Sequence, residues 1–315
     1  MAKKKIILLI SVFLIAALAL SFFYNNNNAV VEVVIPKGAS PKLIASKLKD
    51  AKLIYSENFF VALIKISKYS KKLKAGRYEF NSKDSVFKII KKIKNGENSN
   101  IKITIPEGYN IKEIGLLLEE KNICKATDFI KLADTKEMEG FLFPDTYFIV
   151  PPANEFDIIN MMNGEFDKFF TQDMKNRCSQ LNMSVKEIIT LASIIEKEAI
   201  AKEERPVIAG VFINRLKKNM RLESCATVLY AMGIKKERLS FGDLKFESKY
   251  NTYKYKGLPP GPICNPGKES IKAALYPAET NDLFFVSKGN GTHYFSSTFN
   301  EHIKNKLASK KKAIK

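Results

Sequence analysis

The stretch from Ile188 to Ala199, IITLASIIEKEA, constrains the fold of this chain more than any other. On a helix at 100° per residue, Ile188, Leu191, Ala192, Ile194 and Ile195 fall on one side, so the segment must lie against a core. Glu198 lands about 20° from Leu191, in the middle of that apolar stripe. Glu196 lands about 140° from Leu191, beside Ser193 and Lys197, on the face expected to meet water. Two nearby glutamates are thus expected to have opposite environments. A carboxylate on an apolar face loses hydration, its pKa rises, and it can hold a proton near neutral pH, as a general acid must. The competing reading is a structural acid at the edge of a core, its charge met by an arginine or a backbone donor.

A chain of 315 residues suits two domains, or a catalytic domain with a smaller companion. The net charge of +19 favours polyanions or anionic membrane surfaces as partners. Nucleic acid, acidic lipid and anionic wall polymer all fit that charge, but the lysines are scattered. Zinc-finger spacing and RRM signatures are missing, which argues against nucleic acid. Cys124, Cys178, Cys225 and Cys264 are widely spaced without a C-x-x-C, so no metal or redox motif is signalled; free thiols and disulfides both fit. With only His293 and His302, a histidine metal centre is disfavoured, and no G-x-S-x-G elbow supports a serine triad.

Lys3, Lys4 and Lys5 precede an uncharged apolar run from Ile6 to Tyr24. As a helix that run rises about 28 Å, close to the hydrocarbon thickness of a bilayer. The expectation is a single-pass anchor over residues 1–24 with its basic flank in the cytoplasm, which exports everything that follows. A cleaved signal peptide competes, since Ala17-Leu18-Ala19 is A-x-A-like. Residues 25–29 read as a polar spacer. Val30 to Ile35 reads as a strand, ended by Pro36 and Gly38, with a helix from Ser40-Pro41 through Leu48. The phrase returns: Ile35-Pro36-Lys37-Gly38 matches Ile105-Pro106-Glu107-Gly108, and Lys42, Ile44 and Leu48 match Lys112, Ile114 and Leu118. Two strand-turn-helix units are therefore expected. Between them, Lys74 to Phe80 reads as a turn into a strand, and Val86 to Ile93 as a basic helix closed by Gly96.

The segment Glu139-Gly140-Phe141-Leu142-Phe143-Pro144-Asp145-Thr146-Tyr147 is too aromatic for a surface loop. It reads as a core plug, apart from Asp145 and Tyr147. One helix from about Asp157 to Gln180 should lead to the central one, and Glu203 to Pro206 should start another running through Asn214 and Arg215. Tyr250 to Phe299, rich in Gly, Pro, Asn and aromatics, reads as loops and short strands of a polar cleft wall. The tail 309–315, with four lysines, is expected to be disordered.

Together these motifs resemble, in order, the MltG or YceG-like family of membrane-anchored endolytic murein transglycosylases. The resemblance is carried by Glu139 to Tyr147, Ser193-Ile194-Ile195-Glu196-Lys197-Glu198, Val211 to Leu216, Tyr250-Asn251-Thr252-Tyr253, Leu258-Pro259-Pro260-Gly261 and Lys272-Ala273-Ala274. It covers nearly all of the chain after the apolar run. It implies an α+β fold: the N-terminal transmembrane helix, a small LysM-like α+β region over 30–125, then a mainly helical catalytic domain over 126–308 with a loop-rich C-terminal cleft wall.

The resemblance also implies the chemistry. The family's catalytic acid is the second Glu of the E-K-E stretch, which falls on Glu198. It would cleave the MurNAc–GlcNAc bond of nascent peptidoglycan strands and leave 1,6-anhydro-MurNAc ends, with no metal and no cofactor. Substrate-binding candidates are Asp145, Tyr147, Asn214, Tyr250, Asn251, Thr252, Tyr253 and Gly261. Implied partners are peptidoglycan, the cell membrane and peptidoglycan synthases. There are departures. Ala199 stands where many members have Thr or Ser, and Glu223-Ser224-Cys225-Ala226-Thr227 replaces Gln, a small residue, then Asp-Pro-Thr. Cys225 is left as a structural thiol, and Glu223 without a role. The alternative is a non-catalytic anchored glycan-binding or scaffold protein, in which Glu198 is a buried structural acid.

Overall fold

The computed structural model describes residues 29–313 apart from 37, 71, 98, 99 and 237. The apolar run expected as a membrane anchor lies outside the described residues. Among the described residues no helix is long and apolar enough to cross a membrane. They form a mixed α+β fold with twelve α-helices and three two-stranded sheets. The described residues divide into two compact units, the first up to residue 103 with 147–153, the second over 104–146 and from 154 on.

In the first unit, strand β1 (Val30–Ile35) pairs antiparallel with β2 (Gly76–Asn81), with Val33 opposite Tyr78. Alternation turns Val33, Ile35, Tyr78 and Phe80 to one buried face. Helices α1 (Pro41–Asp50), α2 (Glu57–Ile66) and α3 (Val86–Asn95) add Ile44, Leu48, Phe60, Ile64, Ile89 and Ile93 to that core. Ser40, Ser56 and Ser85 cap these helices through their hydroxyls. Gly96 stops α3 in the left-handed conformation, φ 73°.

The repeated phrase is real in the backbone. β3 (Ile101–Thr104) is followed by α4 (Ile111–Glu120), α5 (Ala126–Thr135) and β4 (Thr146–Ile149), repeating the order β1-α1-α2-β2. Gly38 and Gly108 occupy the matching turn at φ 76° and 80°, a conformation that favours glycine. The sequence captures the strand, turn and first helix of both copies and the closing strand of the first at Lys74 to Phe80, and the structure adds α2 to the first copy and β4 to the second.

The second unit is built around α8 (Val185–Glu198), capped at Ser184 by a capping box with Glu187. Its neighbours are α7 (Gln172–Gln180), α9 (Arg205–Lys217), α10 (Cys225–Met232) and α11 (Lys268–Leu275). With elements on several sides, α8 is buried on every face from Ile188 to Ile195, including Ile189, Thr190 and Ser193. Its buried hydroxyls stay satisfied. Thr190 donates to the Lys186 carbonyl at 2.7 Å, and Ser193 donates to the Thr190 carbonyl at 2.7 Å while accepting from the Ile263 N–H at 3.0 Å.

Three expectations for this unit are corrected. The single helix over 157–180 is two helices, α6 (Glu155–Phe169) and α7, because the chain leaves helical geometry at the buried Phe170 and Thr171 caps anew. The stretch after Tyr250 holds β5 (Phe284–Ser287) and β6 (His293–Ser296), but also α11, and residues 261–267 are buried rather than facing water. The tail is not disordered at its start. Helix α12 (Phe299–Ala313) runs into it, and Ser309 donates to the Ser287 carbonyl at 2.6 Å.

Candidate active site

Glu198 is the last residue of α8. Its Oε1 accepts a 2.5 Å hydrogen bond from the Ser224 hydroxyl, and the Ala226 N–H also donates to the carboxyl. Ser224 is the residue before α10, so the carboxyl sits at the positive end of that helix. Burial nevertheless dominates and pushes the Glu198 pKa up. The Ser224 hydroxyl, the His293 imidazole and the Ala226 N–H pull the other way. Desolvation therefore favours the protonated form, and the donors around it favour the carboxylate once the proton has gone.

The lid of this carboxyl is a loop crossing. Thr252 accepts from the Ser224 N–H at 3.0 Å and shares a 2.9 Å hydroxyl contact with Thr227, while its carbonyl accepts from the Glu223 N–H at 3.2 Å. The Tyr253 hydroxyl lies 3.2 Å from the Cys225 sulfur. Burial raises the pKa of Tyr253, and Cys225 and Glu198 nearby add to that. Cys225, read from the sequence as a structural thiol, is exposed, because it opens α10 at the rim of the site. All four cysteines are free thiols.

Of the sequence candidates, the structure brings Tyr253 near Glu198, and Thr252 to the backbone of Ser224, whose hydroxyl bonds that carboxyl. Asn251 is fully buried and does framework work: its amide donates to the carbonyls of Leu244 and Phe246, and its Oδ1 accepts from the Tyr253 N–H. Asn214 donates to the carbonyls of Thr280 and Asp282 and lines a groove of about 970 Å³ with Lys217 and Leu258. Tyr250 packs on Tyr230, ring centroids 5.1 Å apart, and a Cβ at Gly261 would lie 3.2 Å from its hydroxyl. Asp145 is exposed, its carboxylate accepting from the Thr146 N–H. Tyr147 is buried in β4, in the first unit.

Glu196 is corrected. It does not face water: its side chain is 7% exposed and pairs at 2.9 Å with Arg205, itself 6% exposed. Its other oxygen accepts from the Gly267 N–H at 2.9 Å, where α11 begins. A wheel drawn for one helix cannot know that a second helix supplies an arginine to the far face.

Sequence reasoning missed Ser224, His293 and Glu139. Ser224 precedes a helix, a capping signal, but its hydroxyl is spent on Glu198 instead. His293 Nδ1 lies 2.7 Å from Glu204. Glu139 is held in the core by the Ile111 N–H, the Tyr230 hydroxyl and the Asn265 amide, and burial pushes its carboxyl up to about 7.

Comparison with known proteins agrees with this geometry. Residues 33–308 match the YceG-like family. An endolytic murein transglycosylase of Bacillus subtilis is 37% identical over 303 residues, covering 88% of this chain and 84% of that protein. One from Streptococcus pneumoniae is 30% identical over 318 residues, covering 87% of this chain and 57% of the longer relative. A crystal structure of a yceG-like protein from Listeria monocytogenes superposes with a TM-score of 0.62 at 35% identity, over 87% of this chain and 98% of that one. The chain belongs to the YceG-like family.

Proposed function

We propose that this chain is an endolytic lytic transglycosylase of peptidoglycan, with Glu198 as its single acid–base group. The observation that carries the reading is a desolvated carboxyl at the end of α8 whose hydrogen bonds come from Ser224 and the first turn of α10. Ordinary glycosidases use two carboxylates. A lytic transglycosylase needs one, because the sugar supplies its own nucleophile. Protonated Glu198 gives its proton to the oxygen linking MurNAc to GlcNAc. The carboxylate that remains takes the proton from the muramoyl C6 hydroxyl as that oxygen closes onto C1. Burial favours the first state, and the Ser224 and Ala226 donors favour the second, so one group can serve both steps. Tyr253 and Thr252 are the side chains we assign to the sugar-facing rim.

The relatives' names support the substrate class. The repeated strand-turn-helix segments over 30–125 support a LysM-like glycan-holding region ahead of a catalytic region over 126–308, whose loops from Tyr250 onward form the cleft wall. The apolar run Ile6–Tyr24 supports a single-pass anchor with the catalytic region outside the cytoplasmic membrane, where peptidoglycan synthases work. The test is the chemistry of the new ends. Digestion in H₂¹⁸O should yield 1,6-anhydromuramoyl termini without label. Labelled reducing ends would make the enzyme a hydrolase, and no new ends would favour a glycan-binding scaffold.

A further inference from the structure

The positive charge of this chain is concentrated. Residues 30–103, in the first unit, hold 17 lysines and arginines against 6 aspartates and glutamates. The same segment starts close behind the apolar run. Tyr24 and Val30 are six residues apart, so β1 begins within about 20 Å of the end of that run even if the chain between is fully extended. Hydrogen bonds fix what lies beside this strand start. Val30 stands opposite Asn81, the Ala29 N–H donates to the Ser82 hydroxyl at 3.2 Å, and the Ala29 carbonyl accepts from the Ser82 N–H at 2.9 Å. The turn at 82–85 and the first turn of α3 are therefore its neighbours.

Two apolar side chains stay exposed at this end, Val30 at 68% and Phe87 at 56%. On α3, Phe87, Lys88 and Lys91 fall within about 100° of one another, away from the buried Ile89, Ile90 and Ile93. Lys83 is exposed in the turn. That turn is braced: the Asn81 N–H donates to the Asp84 carboxylate at 3.0 Å, the Asn81 Oδ1 accepts from the Lys83 N–H at 2.9 Å, and the Ser85 hydroxyl caps α3. Asp84 opposes the lysines, but its side chain is 4% exposed and pairs with Lys88 at 2.6 Å. Glu32 and Glu79 face each other further along the sheet, and Glu32 pairs with Arg77 at 3.1 Å. A phenylalanine ringed by lysines suits a bilayer interface: the ring enters the headgroup boundary while the long lysine stems carry their charges to anionic headgroups. We propose that this end of the first unit, with Val30, Lys83, Phe87, Lys88 and Lys91, docks on anionic lipid headgroups of the bilayer that the run Ile6–Tyr24 enters. The inference rests on the reading of that run as an anchor. Docking fixes which end of the unit faces the bilayer, which the short tether alone does not.

The chain has no tryptophan, so Phe87→Trp installs a single reporter. The full chain carrying it is reconstituted in vesicles of zwitterionic lipid, with or without anionic lipid, part of the lipid brominated in its acyl chains to quench indole on contact. Quenching should appear in the anionic vesicles. It should be lost in zwitterionic ones and in 1 M salt, where the screening length falls to about 3 Å. Each lysine at an anionic surface is worth about fivefold, so adding Lys83→Gln and Lys91→Gln should lower the docked-to-free ratio by about 25-fold. Ile66→Trp is the control. Ile66 is 79% exposed beside Lys65 and Lys68, but it belongs to the opposite end of the unit, where Lys94, in the last turn of α3, lies 4.6 Å over the Tyr69 ring. Ile66→Trp should stay unquenched. Phe87→Trp left unquenched in anionic vesicles, or quenched equally in zwitterionic ones, overturns the proposal, and so does equal quenching of Ile66→Trp. Flotation with the vesicles after carbonate washing separates the two readings. A chain that floats with Phe87→Trp unquenched loses only the docking, and a chain that washes off loses the anchor and the docking together.

Discussion

Substituting Glu196→Gln tests whether the unanticipated face of α8 holds the second unit together. The side chain is isosteric, so the perturbation is the loss of one negative charge opposite Arg205. Both side chains are nearly excluded from water, 7% and 6% exposed. Arg205 has no other outlet: its Nε and Nη1 are buried and have no partner among the described residues. Removing one member of a buried ion pair costs about 3–5 kcal/mol, because the survivor is left uncompensated. The glutamine carbonyl still accepts one hydrogen bond, which puts the expectation at the low end, about 3 kcal/mol. For a unit of this size each kcal/mol moves Tm by about 2–4 °C, so Tm should fall by about 6–12 °C. Urea unfolding followed by circular dichroism, with the slope checked for constancy, measures the loss. Glu196→Leu combined with Arg205→Met should recover most of it, since a matched apolar pair no longer strands a charge. A loss below about 1 kcal/mol in the single variant would refute the reasoning. The folded fraction should keep most of its activity, because Glu196 is committed to Arg205 and Gly267.

Two further outcomes follow from buried groups. Glu139 has its folded pKa raised to about 7, so the native state binds more protons than the unfolded chain between about pH 4.5 and 7. Its contribution therefore falls as pH rises through that window, by about 3 kcal/mol, and unfolding at pH 5 and pH 8 should show Glu139→Gln to be less pH-sensitive than the native chain; equal sensitivity would contradict this. Gly140→Ala should lower Tm more than Gly267→Ala. At φ 87° its new Cβ would meet Pro262 at 2.5 Å and Ile189 at 2.8 Å, whereas the clash at Gly267 is with the movable Glu107 carboxylate.

What was legible in the sequence was local. The angle between Leu191 and Glu198 follows from helical period alone, and the structure leaves that glutamate half-buried and desolvated on the side the period requires. The glycines at 38, 96 and 108 announced left-handed turns, and Ser40-Pro41 announced a helix start. What was illegible depended on partners distant in sequence. Glu196 looked wet until Arg205 met it. Ser224 went unnoticed because its partner Glu198 is 26 residues away, and Asn251 and Asn214 looked free until carbonyls 5 to 68 residues away claimed them. The break at Phe170 escaped because an aromatic residue carries no strong stop signal of the kind that glycine and proline give.

The most direct measurement is the yield of anhydromuramoyl ends, by mass spectrometry, from purified peptidoglycan treated with Glu198→Gln. That variant keeps the side chain's shape and removes its transferable proton. Positioned acid–base catalysis is worth about a hundredfold to ten-thousandfold per group, and here one group serves two steps. The account predicts a folded protein, at least as stable as the native one since a desolvated acid is gone, that releases essentially no anhydromuramoyl product. A folded Glu198→Gln that cuts at the native rate would contradict it and put the acid elsewhere.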